Sequence, residues 1–324
     1  MKVNSRSRER AILGQVSDVD LRLLRVFRAV VECGGMAAAE LELNIGTSTV
    51  SRHVKDLETR LGLRLCQRGR GGFALTREGE RVYNELLQLL SSVAAFRASV
   101  DDIHQRMGGR LKLALFDKTV TNSAARIHVA LREFAKLAPD VSLAVHVDSI
   151  NGIERGLLNG NYHVGVMPTH RSSGTLAYTS LFSETMLLYC GAGHTLFEKS
   201  ANPQTWSQVR EYAFAGLGYH SPNMEVSHRE RLKRAATGYD QEAIATLILS
   251  GVFLGFLPEH YAEGFVAAGR MRALNPQKFR YSCDFACVFR RSPEPSRAVL
   301  GFVECLTRAH QNTRYHPQNP SSPQ

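Results

Sequence analysis

The stretch Thr47–Lys55 reads TSTVSRHVK, which sets short hydroxyls and basic side chains at helical spacing. Thr47, Ser48, Thr49 and Ser51 can approach base edges and phosphates closely, and Arg52 and Lys55, with His53 beside them, supply charge and donors. Fifteen or so residues on, Arg68 and Arg70 stand at the tip of a glycine-punctuated run, LCQRGRGGF, suited to insertion at a minor groove. Singly, each residue has an ordinary reading: Thr47 and Ser48 cap a helix, and Arg52 is a solvated surface charge. Together, following a tight pair of helices, they describe a face for nucleic acid.

Other chemistry is thinly represented. There is no GxSxG elbow, HExxH, P-loop or strand-borne GxGxxG, and the 12 histidines are scattered, which argues against an α/β enzyme. The 6 cysteines, Cys33, Cys66, Cys190, Cys283, Cys287 and Cys305, form no CxxC pair and fit core positions in a reducing compartment. Cys283 and Cys287 fall on one face of an expected strand, too far apart along it for a simple disulfide. No metal or other cofactor is expected. A formal net charge of +10 favours a polyanionic partner. The basic start, MKVNSRSRER, lacks an apolar signal-peptide core, and no window has the length and apolarity of a membrane span, so a cytoplasmic location is expected. That also weighs against an exported solute-binding protein, the other alternative for an α/β chain with a basic N-terminal module.

The elements that must position the polar face are legible on either side of it. Residues 1–17 form a basic arm. Leu21, Leu24, Phe27 and Val31 mark a first helix, for which Ser17 or Asp20 can act as the cap, ending at Cys33-Gly34-Gly35. Met36–Leu43 is a short alanine-rich second helix. Thr47–Leu61 is the third, with Val50, Val54, Leu57 and Leu61 inward. Leu63, Leu65, Phe73 and Leu75 alternate as a β-hairpin around the arginine-rich tip. The pattern is a winged helix-turn-helix over residues 18–76. A long helix, 77–107, then carries Val82, Leu86, Leu89, Val93, Phe96, Val100 and Ile103 at alternating steps of four and three. Such a seam, on a rod of roughly 45 Å, suits pairing with a second copy.

From Arg110 strands and helices alternate, so the second half, 108–311, is α/β. Expected are a strand at 111–116, a helix from Thr121 to Leu137, a strand at Val141–Val147, a helix at Ile150–Leu158 and a strand at 163–167. Strand–helix–strand units imply parallel pairing, with ligands beyond the carboxyl ends of the strands. The loops there hold Thr119, Thr121, Ser149 and Asn151, which with Met167 and Gly218 are the candidate ligand contacts. Thr121 and Ser149 can equally be ordinary helix caps. The tail, 312–324, has a disordered composition.

Residues 20–107 resemble the DNA-binding domain and linker helix of LysR-type transcriptional regulators. The likeness rests on Cys33-Gly34-Gly35, Met36–Leu43, Gly46–Arg52, Leu57–Arg68 and Leu75–Gly79, and on Ser250–Pro258 in the second half. Three positions depart from the family pattern. Ala37 stands where Thr is common, Gly46-Thr47 replaces Ser-Gln, and Cys66 replaces Phe. The first two leave the operator sequence open. The resemblance implies a two-subdomain, periplasmic-binding-protein-like effector domain, with subdomain I at about 110–182 and 290–311 and subdomain II at about 183–289. It also implies a dimer or tetramer acting on double-stranded DNA beside RNA polymerase, tuned by a small-molecule effector. Between Tyr219 and Asp240 the chain is short for the family's helix plus strand, so a loop and a single strand are expected.

Overall fold

The computed structural model describes residues 16–69, 72–103, 107–169, 171–198 and 204–311. It divides into two compact units at Ala94/Ala95. The expected basic arm, apart from its last two residues, the hairpin-tip Arg70 and the tail lie outside the described residues, as do the side chains of Arg68 and Ile103.

The first unit contains α1 (Asp18–Glu32), α2 (Met36–Leu43), α3 (Thr47–Leu61), the hairpin β1 (Cys66–Gly69) and β2 (Gly72–Leu75), and the start of α4 (Arg77–Ile103). Ser17 caps α1, and Asp20 reciprocates by accepting from the Ser17 N–H at 2.9 Å and its hydroxyl at 2.6 Å. This is a capping box, which settles the choice between the two residues. Phe27, Val30, Val50, Val54, Leu57 and Leu65 are fully buried at the centre. Leu86 of α4 belongs to the same core, and Val82 packs against it. The expected seam therefore begins later than its spacing suggests. Its first two residues are occupied within their own chain, whereas Leu89, Val93, Phe96 and Val100 are exposed.

The second unit is built on a nine-stranded mixed sheet. In chain order it comprises β3 (Gly109–Leu115), one 3-10 turn (Thr119–Thr121), α5 (Ile127–Leu137), β4 (Val141–Val147), α6 (Ile150–Leu158), β5 (Val164–Pro168) and the long β6 (Leu176–Gly191). There follow α7 (Trp206–Val209), β7 (Ala213–Leu217), α8 (Pro222–Arg229), β8 (Lys233–Gly238), α9 (Gln241–Leu249), β9 (Leu254–Pro258), α10 (Glu259–Ala267), β10 (Met271–Ala273), β11 (Arg280–Arg290) and α11 (Arg297–Gln311). The sheet order is β4-β3-β5-β11-β6-β9-β7-β8, with β10 also on β6. Two parallel trios, β4-β3-β5 and β8-β7-β9, are thus joined through the antiparallel pair β6 and β11. That pair runs from one subdomain into the other. Phe302 of α11 packs edge-on against Phe134 of α5, closing subdomain I at a ring separation of 5.3 Å.

Two expectations are corrected here. The helix expected from Thr121 begins only at Ile127. Asn122 folds back to accept from the Ala124 N–H at 2.9 Å, and Arg126 takes a left-handed conformation, φ 37°, which interrupts any continuous helix. Residues 219–240, expected as a loop and one strand, fold as helix α8 plus strand β8. Ser221 caps α8 with Pro222 in its first turn, and a left-handed Arg231, φ 52°, turns the chain back within a few residues.

Candidate functional site

The polar face of α3 is held in place by groups that face inward or backward. Val50, Val54 and Leu57 fix one side of the helix in the core. At its far end the Arg60 guanidinium forms a bidentate pair with the fully buried Asp20 on α1. Arg60, and then Ser17, hold the Asp20 carboxyl well below the usual carboxylate range. Glu58 accepts the Leu65 and Cys66 N–H groups at 2.7 and 3.1 Å, which ties α3 to the start of the hairpin. Thr76 donates to the Arg64 carbonyl at 2.6 Å and accepts from the Gly79 N–H at 2.8 Å, which caps α4. Gly79 itself lies so close to the hairpin that a Cβ there would stand 2.0 Å from the Leu65 carbonyl oxygen. That contact is the physical content of the Leu75-Thr76-x-x-Gly79 motif.

On the opposite face, Ser48, Arg52 and Lys55 are exposed, and Thr49, Ser51 and His53 are half-buried. Thr47 is engaged otherwise: its hydroxyl donates to the Glu40 carboxylate and fastens α2 to α3. Arg52 and His53 border a groove of about 570 Å³ beside α1, lined also by Val19, Arg22, Asp56 and Arg60. The buried Nδ1 of His53 has no hydrogen-bond partner. Arg68 lies in β1 opposite Phe73. Asp56 and Thr59 are exposed on the same helix and join this face.

The candidate ligand residues of the second unit do not all come together. Thr119 is buried in the 3-10 turn after β3. Two residues on, the Thr121 hydroxyl donates to the Lys118 carbonyl at 3.0 Å and sits 2.7 Å from Nδ1 of His260 on α10. His260 continues to Glu184 of β6, Nε2 to Oε2 3.0 Å. Lys118 pairs with Glu242 on α9 at 2.8 Å, and Asp117 accepts the Gln241 N–H at 2.6 Å. The Thr121, Lys118 and Asp117 contacts bridge the subdomains. Gly218 accepts no side chain without displacement of Tyr239, whose ring would lie 2.7 Å from a Cβ.

Ser149 and Asn151 sit elsewhere. Ser149 caps α6 by accepting from Gly152 at 3.2 Å, so its ordinary role is the observed one. Asn151 accepts from Arg171 at 3.1 Å. Both border a separate polar depression of about 330 Å³, with Asp148, Arg155, Asn161 and Tyr162. Met167 is a further correction. It is fully buried in β5 opposite Ala286 and offers no surface to a ligand.

A group of buried polar side chains gathers at the subdomain junction without any signal in the sequence. The second carboxylate oxygen of Asp117, the Tyr219 hydroxyl and the Gln241 side-chain carbonyl are shielded from solvent without hydrogen-bond partners. The Tyr281 hydroxyl and Asn223 amide nitrogen face one another without a well-formed bond. Each orphan of this kind costs about 1–3 kcal/mol. Burial, then the negative charges of Asp240 and Glu184, pushes the Asp117 carboxyl up to about 6, against the lowering by the Gln241 N–H and Lys118. These residues come from α8, α9, β11 and the loops after β3 and β7, so no single spacing in the chain could announce them.

No disulfide joins the described cysteines, and all but Cys33 are buried. Burial pushes Cys190 up to about 11 and Cys287 to about 12, so neither is a reactive thiolate. Among the described residues no cluster of three metal-ligating side chains occurs, and no helix is long and apolar enough to cross a membrane.

Comparison with known proteins bears on both units. Residues 21–80 match the bacterial regulatory helix-turn-helix model of the lysR family, and residues 104–311 match the LysR substrate binding domain. The HTH-type transcriptional activator BauR of Pseudomonas aeruginosa is 41% identical over 294 residues, covering 91% of this chain and 96% of that protein. The probable HTH-type transcriptional regulator LrrA of Synechococcus elongatus is 29% identical over 245 residues, 74% of this chain and 81% of that one. Among solved structures, full-length CbnR complexed with its target DNA superimposes with a TM-score of 0.61 at 21% identity, covering 89% of this chain and 99% of that one. A full-length OxyR variant from Pseudomonas aeruginosa gives 0.60 at 16%, covering 95% and 100%. With a helix-turn-helix that carries a polar outer face and a substrate-binding domain after it in the chain, the protein belongs to the LysR family of DNA-binding transcriptional regulators and is not an enzyme.

Proposed function

We propose that the protein reads promoter DNA through Ser48, Thr49, Ser51, Arg52, His53 and Lys55 of α3, assisted by Arg68 of β1 and by Arg70, which follows it in the sequence. In the same reading it works as an oligomer paired along α4, and its DNA-bound arrangement answers to a small molecule held between subdomains I and II. The observation that carries this reading is the exposed stripe Ser48-Arg52-Lys55 on a helix whose other face is immobilised by Val50, Val54 and Leu57. A polar stripe on a rigid helix can enter a major groove without rearrangement. Thr47 is better assigned to positioning, since its hydroxyl is taken by Glu40. Leu89, Val93, Phe96 and Val100 form the pairing surface; Phe96 is 69% exposed, and burial against a second copy removes that cost. The activator named BauR suggests activation as the output.

The test is binding of the full-length protein to a promoter fragment over a salt series. Each phosphate neutralised contributes a slope of about −0.9 in log affinity against log salt, so a handful of Lys and Arg contacts gives a steep line. A flat response refutes the DNA interface. Arg52→Ala should weaken specific binding by about 1–3 kcal/mol, with a smaller loss on unrelated sequence.

A further inference from the structure

The junction between the subdomains leaves two buried acceptors open, on Asp117 and Gln241, beside the Asn223 amide nitrogen and the hydroxyls of Tyr219 and Tyr281. Asp117 uses one carboxylate oxygen on the Gln241 N–H and has nothing on the other. The side-chain carbonyl of Gln241, a residue only 2% exposed, is likewise unpartnered. Glu184, 7% exposed, has one oxygen on His260. Lys118, the neighbouring cation, is committed to Glu242 at 2.8 Å and stacks over the Tyr261 ring. The buried Tyr219 hydroxyl lies close enough to Asp117 and Asp240 to feel both charges, and it too lacks a partner. A carboxylate or phosphate entering here would meet the like charges of Asp117, Asp240 and Glu184. A group with several N–H donors and a positive charge would complete what the chain leaves open.

We infer that the effector carries a protonated amine, received by the carboxylates of Asp117 and Glu184, with the Gln241 side-chain carbonyl taking a further N–H. This rests on the reading of the cleft as the effector site and names the chemical class that the site selects. The contacts Thr121–His260 and Lys118–Glu242 join the two subdomains beside the cluster, so a ligand bound there bears on their closure.

The titratable groups facing Asp117 are Lys118, Asp240, Glu184, Tyr219 and Tyr261. None supplies an uncommitted cation, so amine binding should strengthen as pH rises through about 6, where Asp117 ionises. The experiment uses the full-length protein with ethylammonium chloride, sodium propionate and neutral propanamide as probes, at matched ionic strength, followed by thermal melting and calorimetric titration. Ethylammonium should raise the melting transition, and the other two should leave it in place. Asp117→Asn and Glu184→Gln should each weaken ethylammonium binding by at least about thirtyfold, since a buried cation loses its charged partner. Each variant's own cooperative melting transition reports that it is folded.

Absence of an ethylammonium shift overturns the inference, because water then suffices for the orphaned groups. A shift by propionate that survives in Asp117→Asn overturns it in favour of an anionic effector, with the effector reading intact. The effector reading itself fails on different evidence: promoter output that stays constant whatever small molecules the cells are supplied with.

Discussion

Asp20 and Asp117 are two carboxylates withdrawn from water, one in each compact unit, and their surroundings move them in opposite directions. Asp20 accepts from both nitrogens of the Arg60 fork and from Ser17, and its carboxyl is held well below the usual range. Its contribution to stability is therefore present above the unfolded value of 3.8 and is lost only as pH falls through the lower folded one. Asp117 has one partner, the Gln241 N–H, and burial raises its carboxyl to about 6. The sign reverses: what it contributes is present below 3.8 and is lost as pH rises through about 6. A carboxylate whose lone pairs are all used builds a scaffold. One that is buried with a lone pair open at working pH is a cost to the fold, which a bound donor would offset.

The winged unit should be the less forgiving of the two, and Gly79→Ala is the hardest way to press it. The new Cβ would stand 2.0 Å from the Leu65 carbonyl oxygen, which also accepts the Thr76 N–H at 2.9 Å. Backbone rather than a flexible side chain must move, so about 3 kcal/mol of stability should be lost in urea unfolding, together with promoter binding. An alanine variant of wild-type stability would mean that the hairpin is looser than the contact implies.

The cleft should answer in the other direction. Asp117→Asn keeps an oxygen for the Gln241 N–H and removes the buried charge. From the rise of 3.8 to about 6, the variant should be more stable than the wild type by about 3 kcal/mol near pH 8. The difference should fade on acidification and vanish below about pH 4, where both forms are neutral. Paired urea melts across that range measure it. Destabilisation at pH 8 would show that the charge is partnered after all and would dissolve the contrast with Asp20.

How much of this was legible in the sequence follows the same division. The bounds of α2 and α3, Met36–Leu43 and Thr47–Leu61, coincide with those expected from apolar spacing, because local periodicity determines both. The α/β character of the second half was readable too, since the alternation of strands and helices is a local property, whereas its division into two subdomains followed only from the resemblance to LysR-type regulators. What escaped depended on single backbone conformations or on distant juxtaposition. A left-handed arginine at 126 or 231 carries no signature in its side chain, and these two positions account for the misplaced start of α5 and the compact turn after α8. The α8 signal was nonetheless present in Ser221-Pro222, a cap followed by proline in the first turn. The Asp117 cluster is assembled by β6 and β11 running between subdomains, and no window of sequence contains it.

Ser149 gives the mildest test, and it separates scaffold from site within subdomain I. Its hydroxyl accepts the Gly152 N–H at 3.2 Å, and its own N–H donates to Asp148 at 2.7 Å. Asp148 is in turn held by the Tyr162 hydroxyl at 3.1 Å. These polar groups of the turn have local partners, as around Asp20, in contrast to the junction at Asp117. Ser149→Ala should therefore behave as the loss of a helix cap, costing about 1 kcal/mol in stability. The promoter's response to effector should keep its midpoint concentration, because no ligand contact has been removed. Thr121→Val, which removes the hydroxyl facing His260 across the subdomains, should move that midpoint with little change in stability. If instead the Ser149 variant moves the midpoint and the Thr121 variant does not, the effector lies in the depression at α6, and the orphaned groups at the junction are filled by water alone.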